Sequence, residues 1–279
     1  MCRIQSWTCG SACNSVATFE PKAAMSHVIT GAGGFVGVDH ATQQIVVAFR
    51  GTSNIQNILA DIHVLLAKYD KSSSCGSQCE VHSGFYASYM SLRQQTRDSV
   101  LELIHKNPTY EIVVTGHSLG GAIALLAAAD LQERLNNLES PSDLKLVSVY
   151  TFGAPRVGNV AFAKWPDSLL AKGAKYRITH AGDPLVIVPA RTWGYAHRAS
   201  EGFYMTPSNN SAVMCNDLSG QEDSTCTLAI FFRVLDDHMY YMGDTTGCKG
   251  HASLPSAAVC DAPAVGCVIF LLGVLYSLL

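Results

Sequence analysis

Charge is scarce in this chain of 279 residues: Asp, Glu, Lys and Arg make up 15% of it, against about 25% in an average soluble chain. Hydrophobic residues make up 48%, so apolar surface is plentiful and intrinsic disorder is excluded. Neither sign of charge dominates. The 19 basic and 22 acidic residues leave a net charge of −3, and no basic block or stripe occurs, which excludes a typical nucleic-acid binder. Fixed-period repeats and low-complexity tracts are absent, which excludes solenoids and arrays. Paired C-x₂-C knuckles and histidines at finger spacing are absent too, so the cysteines do not read as zinc ligands and no metal is expected. The first six residues, Met1 to Ser6, lack the apolar core of a secretory leader.

Cysteine itself is abundant, with ten in the chain. Cys9 and Cys13 bracket Gly-Ser-Ala, and Cys75 and Cys79 bracket Gly-Ser-Gln. Close pairs in polar, glycine-bearing loops read as small disulfide loops, which form in an oxidising compartment and point to a secreted or cell-surface protein. The sequon Asn209-Asn210-Ser211 agrees and makes Asn209 a candidate glycosylation site. A secreted protein needs a leader, so the true start is expected upstream of Met1. At the other end, residues 262–279 carry no charge and close on a run of Val, Ile, Phe and Leu. That run is near the lower limit for spanning a bilayer. With Ser256-Ala257-Ala258 ahead of it, it reads as a GPI-attachment signal, the rival reading being a tail anchor. The expected organisation is one domain over 1–248, a linker over 249–261 and the hydrophobic tail over 262–279.

Within the domain, residues 1–20 read as loop. Residues 44–50 form an apolar, β-branched run ending at Gly51, a buried strand. Apolar positions over 83–106 predict an amphipathic helix stopped by Asn107-Pro108. Residues 111–115 predict a second buried strand, followed by a helix rich in Ala and Leu to about Asn136, and 145–152 and 175–180 predict two more strands. Continuous apolar strands alternating with helices predict an α/β fold with a mostly parallel central sheet flanked by helices.

Chemistry centres on Gly116-His117-Ser118-Leu119-Gly120, a G-x-S-x-G run between a predicted strand and a predicted helix. A turn this sharp lifts the serine hydroxyl out at the carboxyl edge of the sheet, and the next helix aims its N-terminus at the reacting carbonyl. Serine is a poor nucleophile at neutral pH and needs a base held by a carboxylate. In this arrangement the chain order is Ser, then acid, then His. Asp183, just past the strand 175–180 and followed by Pro184, is the candidate acid; Asp130 and Asp167 read as surface charges, the latter in a loop. Of the later histidines, His180 is too close before Asp183 and His251 falls in the linker. His238 and His197 remain, and position favours His238. The backbone N–H groups of Leu119 and Thr52 are candidates for holding an oxyanion.

These residues resemble the fungal class 3 lipases, the α/β-hydrolase group of filamentous-fungal triacylglycerol lipases and type A feruloyl esterases. The matching pieces are Phe49-Arg50-Gly51-Thr52, His82-Ser83-Gly84-Phe85, Thr115 to Gly121, Thr151 to Asn159, Arg177-Ile178-Thr179-His180, Gly182-Asp183-Pro184 and His238 to Gly243. The resemblance implies Ser118 as nucleophile, Asp183 as acid, His238 as base, and Thr52 and Leu119 as oxyanion donors. It implies disulfides Cys2–Cys248, Cys75–Cys79 and Cys215–Cys226, leaving Cys9–Cys13 as a fourth pair and Cys260 and Cys267 outside the domain. It also implies a short lid after the oxyanion strand. There Ile55, Ile58, Leu59 and Ile62 follow helical spacing and give one apolar face, with Ile58 where the family's lipases often carry tryptophan. The implied activity is carboxylic-ester hydrolysis of acylglycerols through a Ser-Asp-His triad and an acyl-enzyme. The implied partner is a lipid ester at an oil–water or membrane interface, with no cofactor and no obligate protein partner. The alternatives are a feruloyl or other carbohydrate-ester esterase on the same triad and, more remotely, a non-catalytic cell-surface binding protein.

Overall fold

The structure is a computed structural model and describes residues 16, 18–52, 65–138, 145–205 and 212–241. The chain opens with a hairpin, β1 (Phe19–Ser26) and β2 (Gly33–Asp39), and continues antiparallel into β3 (Gln44–Phe49). All six residues of β3 are buried, as a strand with both faces covered requires. Two short strands, β4 (Leu66–Lys68) and β5 (Glu80–His82), precede the helix α1 (Ser83–Lys106). Then come β6 (Glu111–His117), α2 (Leu119–Leu138), β7 (Val147–Phe152), β8 (Gly158–Asn159), α3 (Val160–Leu169) and β9 (Lys175–His180). The last described elements are β10 (Tyr195–Ala196), β11 (Glu201–Tyr204), β12 (Val213–Met214) and the single turn α4 (Leu235–His238).

Eight strands form one sheet in the order β1-β2-β3-β6-β7-β9-β11-β12. The five from β3 to β11 run parallel, and antiparallel strands close both ends. The predicted mostly parallel sheet is therefore present. A second sheet, β10-β8-β5-β4, packs beside it. The α1 and α2 helices cover one face of the large sheet, where Leu92, Val100, Ile123 and Leu126 share one core with Val47, Ile112 and Val149, and α3 packs against α2 and the second sheet. A smaller core of Val113, Tyr150, Phe152, Ile178, Tyr204 and Tyr241 lies elsewhere on the sheet, next to the strand ends that matter below. Among the described residues no helix is long and apolar enough to cross a membrane.

The element readings hold to within two residues for β3, α1, β6, α2, β7 and β9. Three readings are corrected. The loop read over 1–20 gives way to β1 at Phe19. Asp167 lies inside α3, where Asn159 caps the helix by accepting from the Phe162 N–H and Pro166 sits near the C-terminal end. Its carboxylate accepts from the Ala199 N–H at 2.8 Å and from the Ser219 hydroxyl, so it joins elements instead of meeting water. Asp130 is buried on α2 and accepts from the Tyr89 hydroxyl at 2.6 Å, Arg93 Nε at 2.9 Å and Arg97 Nε at 2.7 Å. It is the joint between α1 and α2. A buried carboxylate needs such partners.

Two of the expected disulfides are formed, Cys75–Cys79 and Cys215–Cys226. The other expected cysteines (Cys2, Cys9, Cys13 and Cys248), the lid residues Ile55, Ile58, Leu59 and Ile62, the sequon at Asn209 and the segments 249–261 and 262–279 lie outside the described residues.

Candidate active site

The β6 strand runs straight into Ser118, and α2 starts at the next residue. Ser118 has φ +53°, a conformation that non-glycine residues adopt only under constraint. The constraint is visible: a Cβ on Gly116 would overlap the Gly120 carbonyl, and one on Gly120 would overlap the Phe49 carbonyl. The strand, the helix and β3 therefore meet at van der Waals limits, and only glycine fits at the crossing. Gly51 completes the packing, since a Cβ there would lie 3.0 Å from the His117 oxygen and 3.4 Å from Ser118 Cβ. That approach sets Gly51, the residue before Thr52, against Ser118. Leu119 heads α2, where the N–H groups of a first turn have no intrahelical acceptor.

Asp183 and His238 arrive at the same edge from separate elements. Asp183 follows β9 after the turn Ala181-Gly182 and is fully buried. Its Oδ1 accepts from the Leu185 N–H at 2.7 Å, and its Oδ2 is 2.8 Å from His238 Nδ1. That contact fixes the tautomer: Nδ1 donates to the carboxylate, and Nε2 is left as the basic nitrogen. The His238 ring stacks on His117, the neighbour of Ser118, at 4.3 Å between centroids. His117 Nε2 in turn donates to the His238 carbonyl at 2.9 Å. Both Ser118 Oγ and His238 Nε2 are buried without a hydrogen-bond partner. The two atoms that a proton transfer needs are thus both uncommitted.

Two further residues belong to this cluster although the sequence reading gave them no role. The Tyr241 hydroxyl donates to Asp183 Oδ2 at 2.6 Å and accepts from the His180 N–H at 3.1 Å. Burial, reinforced by the Asp183 charge, pushes its pKa far above the usual tyrosine value, so it stays a donor. Its position three residues after His238 was the available signal. His117 is held neutral, its pKa lowered by burial first and by nearby His238 second.

His197, the other candidate base, is elsewhere. Its Nε2 donates to the Val186 carbonyl at 2.7 Å, and burial, then Arg177, lowers its pKa well below the usual value. Beside it, Arg156 grips Glu222 with two bonds of 2.7 and 2.6 Å and donates to the Pro189 carbonyl at 2.9 Å. Together His197 and Arg156 pin the segment that follows Asp183. Burial alone would raise the Glu222 pKa, but the Arg156 bonds outweigh it and bring it down to about 2. Among the described residues the one cluster with metal-ligand spacing is Cys215, Asp223 and Cys226, and its two sulfurs are already bonded to each other.

A serine on a strained strand–helix turn beside a buried Asp–His pair, at the carboxyl edge of a mostly parallel sheet, defines an α/β-hydrolase. The family model "Lipase (class 3)" matches residues 46–193, more than half of the chain. The protein belongs to the class 3 lipase family. Similar to it is the secreted mono- and diacylglycerol lipase A of Penicillium cyclopium, 35% identical over 190 residues, which cover 68% of this chain and 57% of that one. The chain thus spans less than two thirds of that relative's length. Among solved structures, the Rhizomucor miehei lipase in complex with its propeptide superposes with a TM-score of 0.77 at 31% identity, covering 87% of this chain and 74% of that one. A triacylglycerol lipase with a serine-protease triad as its catalytic centre superposes at 0.76 and 32% identity, covering 87% of both chains.

Proposed function

We propose that this chain is a serine ester hydrolase acting on acylglycerols. The observation that carries the reading is the buried Asp183–His238 contact of 2.8 Å, with His238 stacked on the residue next to Ser118. The similar triacylglycerol lipase with a serine-protease triad and the secreted mono- and diacylglycerol lipase support it.

His238 Nε2 takes the Ser118 hydroxyl proton as Oγ attacks the ester carbonyl carbon. The electron pair of the carbonyl moves to its oxygen, which the N–H groups of Thr52 and Leu119 stabilise. Asp183 holds the imidazolium. The C–O bond to the alcohol then breaks as His238 returns the proton to the leaving oxygen, giving an acyl-enzyme and a free glyceride alcohol. Water, deprotonated by His238, attacks the acyl carbon. The second tetrahedral oxyanion collapses, the C–Oγ bond breaks as His238 returns the proton to Ser118, and the fatty acid leaves. Ile55, Ile58, Leu59 and Ile62 form the apolar lid face in this reading. The protein acts outside the cell or at its surface, in keeping with the two disulfides and the relative named as secreted. In this reading the hydrophobic run 262–279 serves as a GPI-attachment signal, the rival role being a tail anchor.

The test is initial rates on emulsified triolein, diolein, a short p-nitrophenyl ester and methyl ferulate, for the parent chain and Ser118→Ala. The glycerides are expected to be hydrolysed fastest, and Ser118→Ala to lose at least roughly ten-thousand-fold in kcat with its fold unchanged. Activity retained by Ser118→Ala would remove the serine mechanism. A preference for methyl ferulate would move the protein to the feruloyl esterases.

A further inference from the structure

Two pairs of large apolar side chains stand almost fully in solvent on loops that flank Ser118. Val28 and Ile29, 97% and 91% exposed, cap the turn between β1 and β2. Phe231 and Phe232, 89% and 79% exposed, lie on the loop before α4. Folded chains seldom leave adjacent large apolar residues this open without a use for them.

The sheet register places both pairs at one edge. β2 begins beside the end of β3, with Gly34 opposite Phe49, and the end of β3 pairs with the end of β6, with Phe49 opposite Gly116. The β1–β2 turn therefore lies at the edge where Ser118 emerges. On the other side, the Phe232 carbonyl packs against Gly182, just past the end of β9, and the Val234 N–H donates to the Gly182 carbonyl at 3.0 Å. The β6 strand stands midway between β2 and β9 in the sheet order. At about 4.8 Å per strand, four steps separate β2 from β9 by about 19 Å, with the strand that carries Ser118 between them.

Both loops are braced. Arg50, next to the candidate oxyanion segment, donates to the Gly31 carbonyl at 2.8 Å, and Thr30 Oγ1 meets Ser91 Oγ of α1 at 3.0 Å. Arg233 donates to the Thr227 carbonyl at 2.7 Å, and Cys226 beside it is tied to Cys215. The Phe231 and Phe232 rings sit edge to face at 5.4 Å, so they back each other and project as a pair.

We propose that Val28–Ile29 and Phe231–Phe232 are fixed anchors that seat the Ser118 edge on a lipid–water interface, independently of the lid segment. The inference rests on the acylglycerol reading above. An ester with long acyl chains is presented at such an interface, and a site flanked by apolar anchors meets it face on. The spacing favours lipid over a protein partner. A stable protein interface needs about 800 Å² on each side, and two side chains at either point supply roughly half of that or less. A lipid surface accepts both points at once because it deforms around each, as it does around interfacial aromatic and aliphatic side chains.

The experiment measures partition of the full chain, made silent by Ser118→Ala, onto vesicles of diether phosphatidylcholine, which carries no carboxylic ester to hydrolyse. Phe231→Ser with Phe232→Ser, and separately Val28→Ser with Ile29→Ser, are compared with the parent. Each pair is expected to lower the partition coefficient at least about tenfold. In the Ser118-containing chain the same changes should leave turnover of a soluble short ester within about twofold. Partition unaltered by either pair overturns the proposal. So does a dimer in solution that the Phe pair abolishes while vesicles are ignored. If the parent hydrolyses no ester but its partition responds as expected, the hydrolase reading fails and the lipid-anchoring surface stands.

Discussion

One oxygen, Asp183 Oδ2, receives both the His238 ring and the Tyr241 hydroxyl. A hydrogen bond to a carboxylate contributes about 1.5–3 kcal/mol, and here it also sets the carboxylate plane that orients the imidazole. Tyr241→Phe keeps the ring in its aromatic cluster with Phe152 and Tyr204 and removes only the hydroxyl, which donates to Asp183 and accepts from the His180 N–H. It is expected to lower kcat on a soluble ester by about ten- to a hundredfold while the structure persists. It should also lower the urea midpoint, because the buried His180 N–H loses its acceptor at a cost of about 1–3 kcal/mol. Unchanged kcat would show that Asp183 is held without Tyr241. The position of Ser118 was legible in the sequence because the elbow is built from neighbours: Gly116, His117, Leu119 and Gly120 all report on it. The Tyr241–Asp183 bond was not, because its partners stand 58 positions apart and tyrosine in an aromatic run usually signals packing.

At the scale of elements, α1 and α2 are joined by a charge cluster buried at its centre. Asp130 takes bonds from Tyr89, Arg93 and Arg97, and Arg93 reaches on to Asp70 at 3.1 Å. Burial, then the nearness of Asp130, pushes the Tyr89 pKa far above the usual value, so this hydroxyl too remains a donor. Asp130→Ala leaves Arg97 and the Tyr89 hydroxyl without this acceptor and Arg93 with Asp70 alone. The change is expected to cost about 3 kcal/mol of stability, read as a lower urea midpoint with unchanged slope. A loss under about 1 kcal/mol would mean that solvent replaces the carboxylate. The elements legible in the sequence were those with strong patterns: the β-branched runs of β3, β6 and β7 and the long amphipathic α1. The β1–β2 hairpin escaped because β1 mixes Pro21, Ala23 and Ala24 with the charges of Glu20 and Lys22 and faces water at half its positions. The α3 helix escaped because Pro166 looks like a breaker, yet near the C-terminal end of a short helix its missing N–H disturbs little. Asp130 was misread because the arginines that bury it lie on a different helix, 33 and 37 positions away.

For the molecule as a whole, buried histidines set the response to acid. His117 and His197 are both kept neutral by burial, with pKa values well below 6.5. Below about pH 6.5 the unfolded chain binds a proton at each of them and the folded chain does not, so stability falls as pH falls. Each contributes up to about 1.4 kcal/mol per pH unit, while above about pH 6.5 their contribution is complete. Glu222 acts lower down. Its folded pKa of about 2 lies under its ordinary 4.5, so the stability it supplies is present above about pH 4.5 and drains away between there and about pH 2. The urea midpoint is therefore expected to hold from pH 8 to 7, then decline steadily to pH 5, with a shallower decline in His197→Gln. A midpoint independent of pH over 5–7 would show that neither histidine is buried neutral.

The chain order of the site carries a consequence for synthesis. The elbow around Ser118 is complete once β3, β6 and α2 have left the ribosome, whereas His238 stands on the last described element, α4. A nascent chain therefore carries the Ser118 turn before it carries His238. In the proposed mechanism, hydrolytic capacity arrives only once His238 has been made, and a cell making this protein is not exposed to it from chains that stop short of that residue.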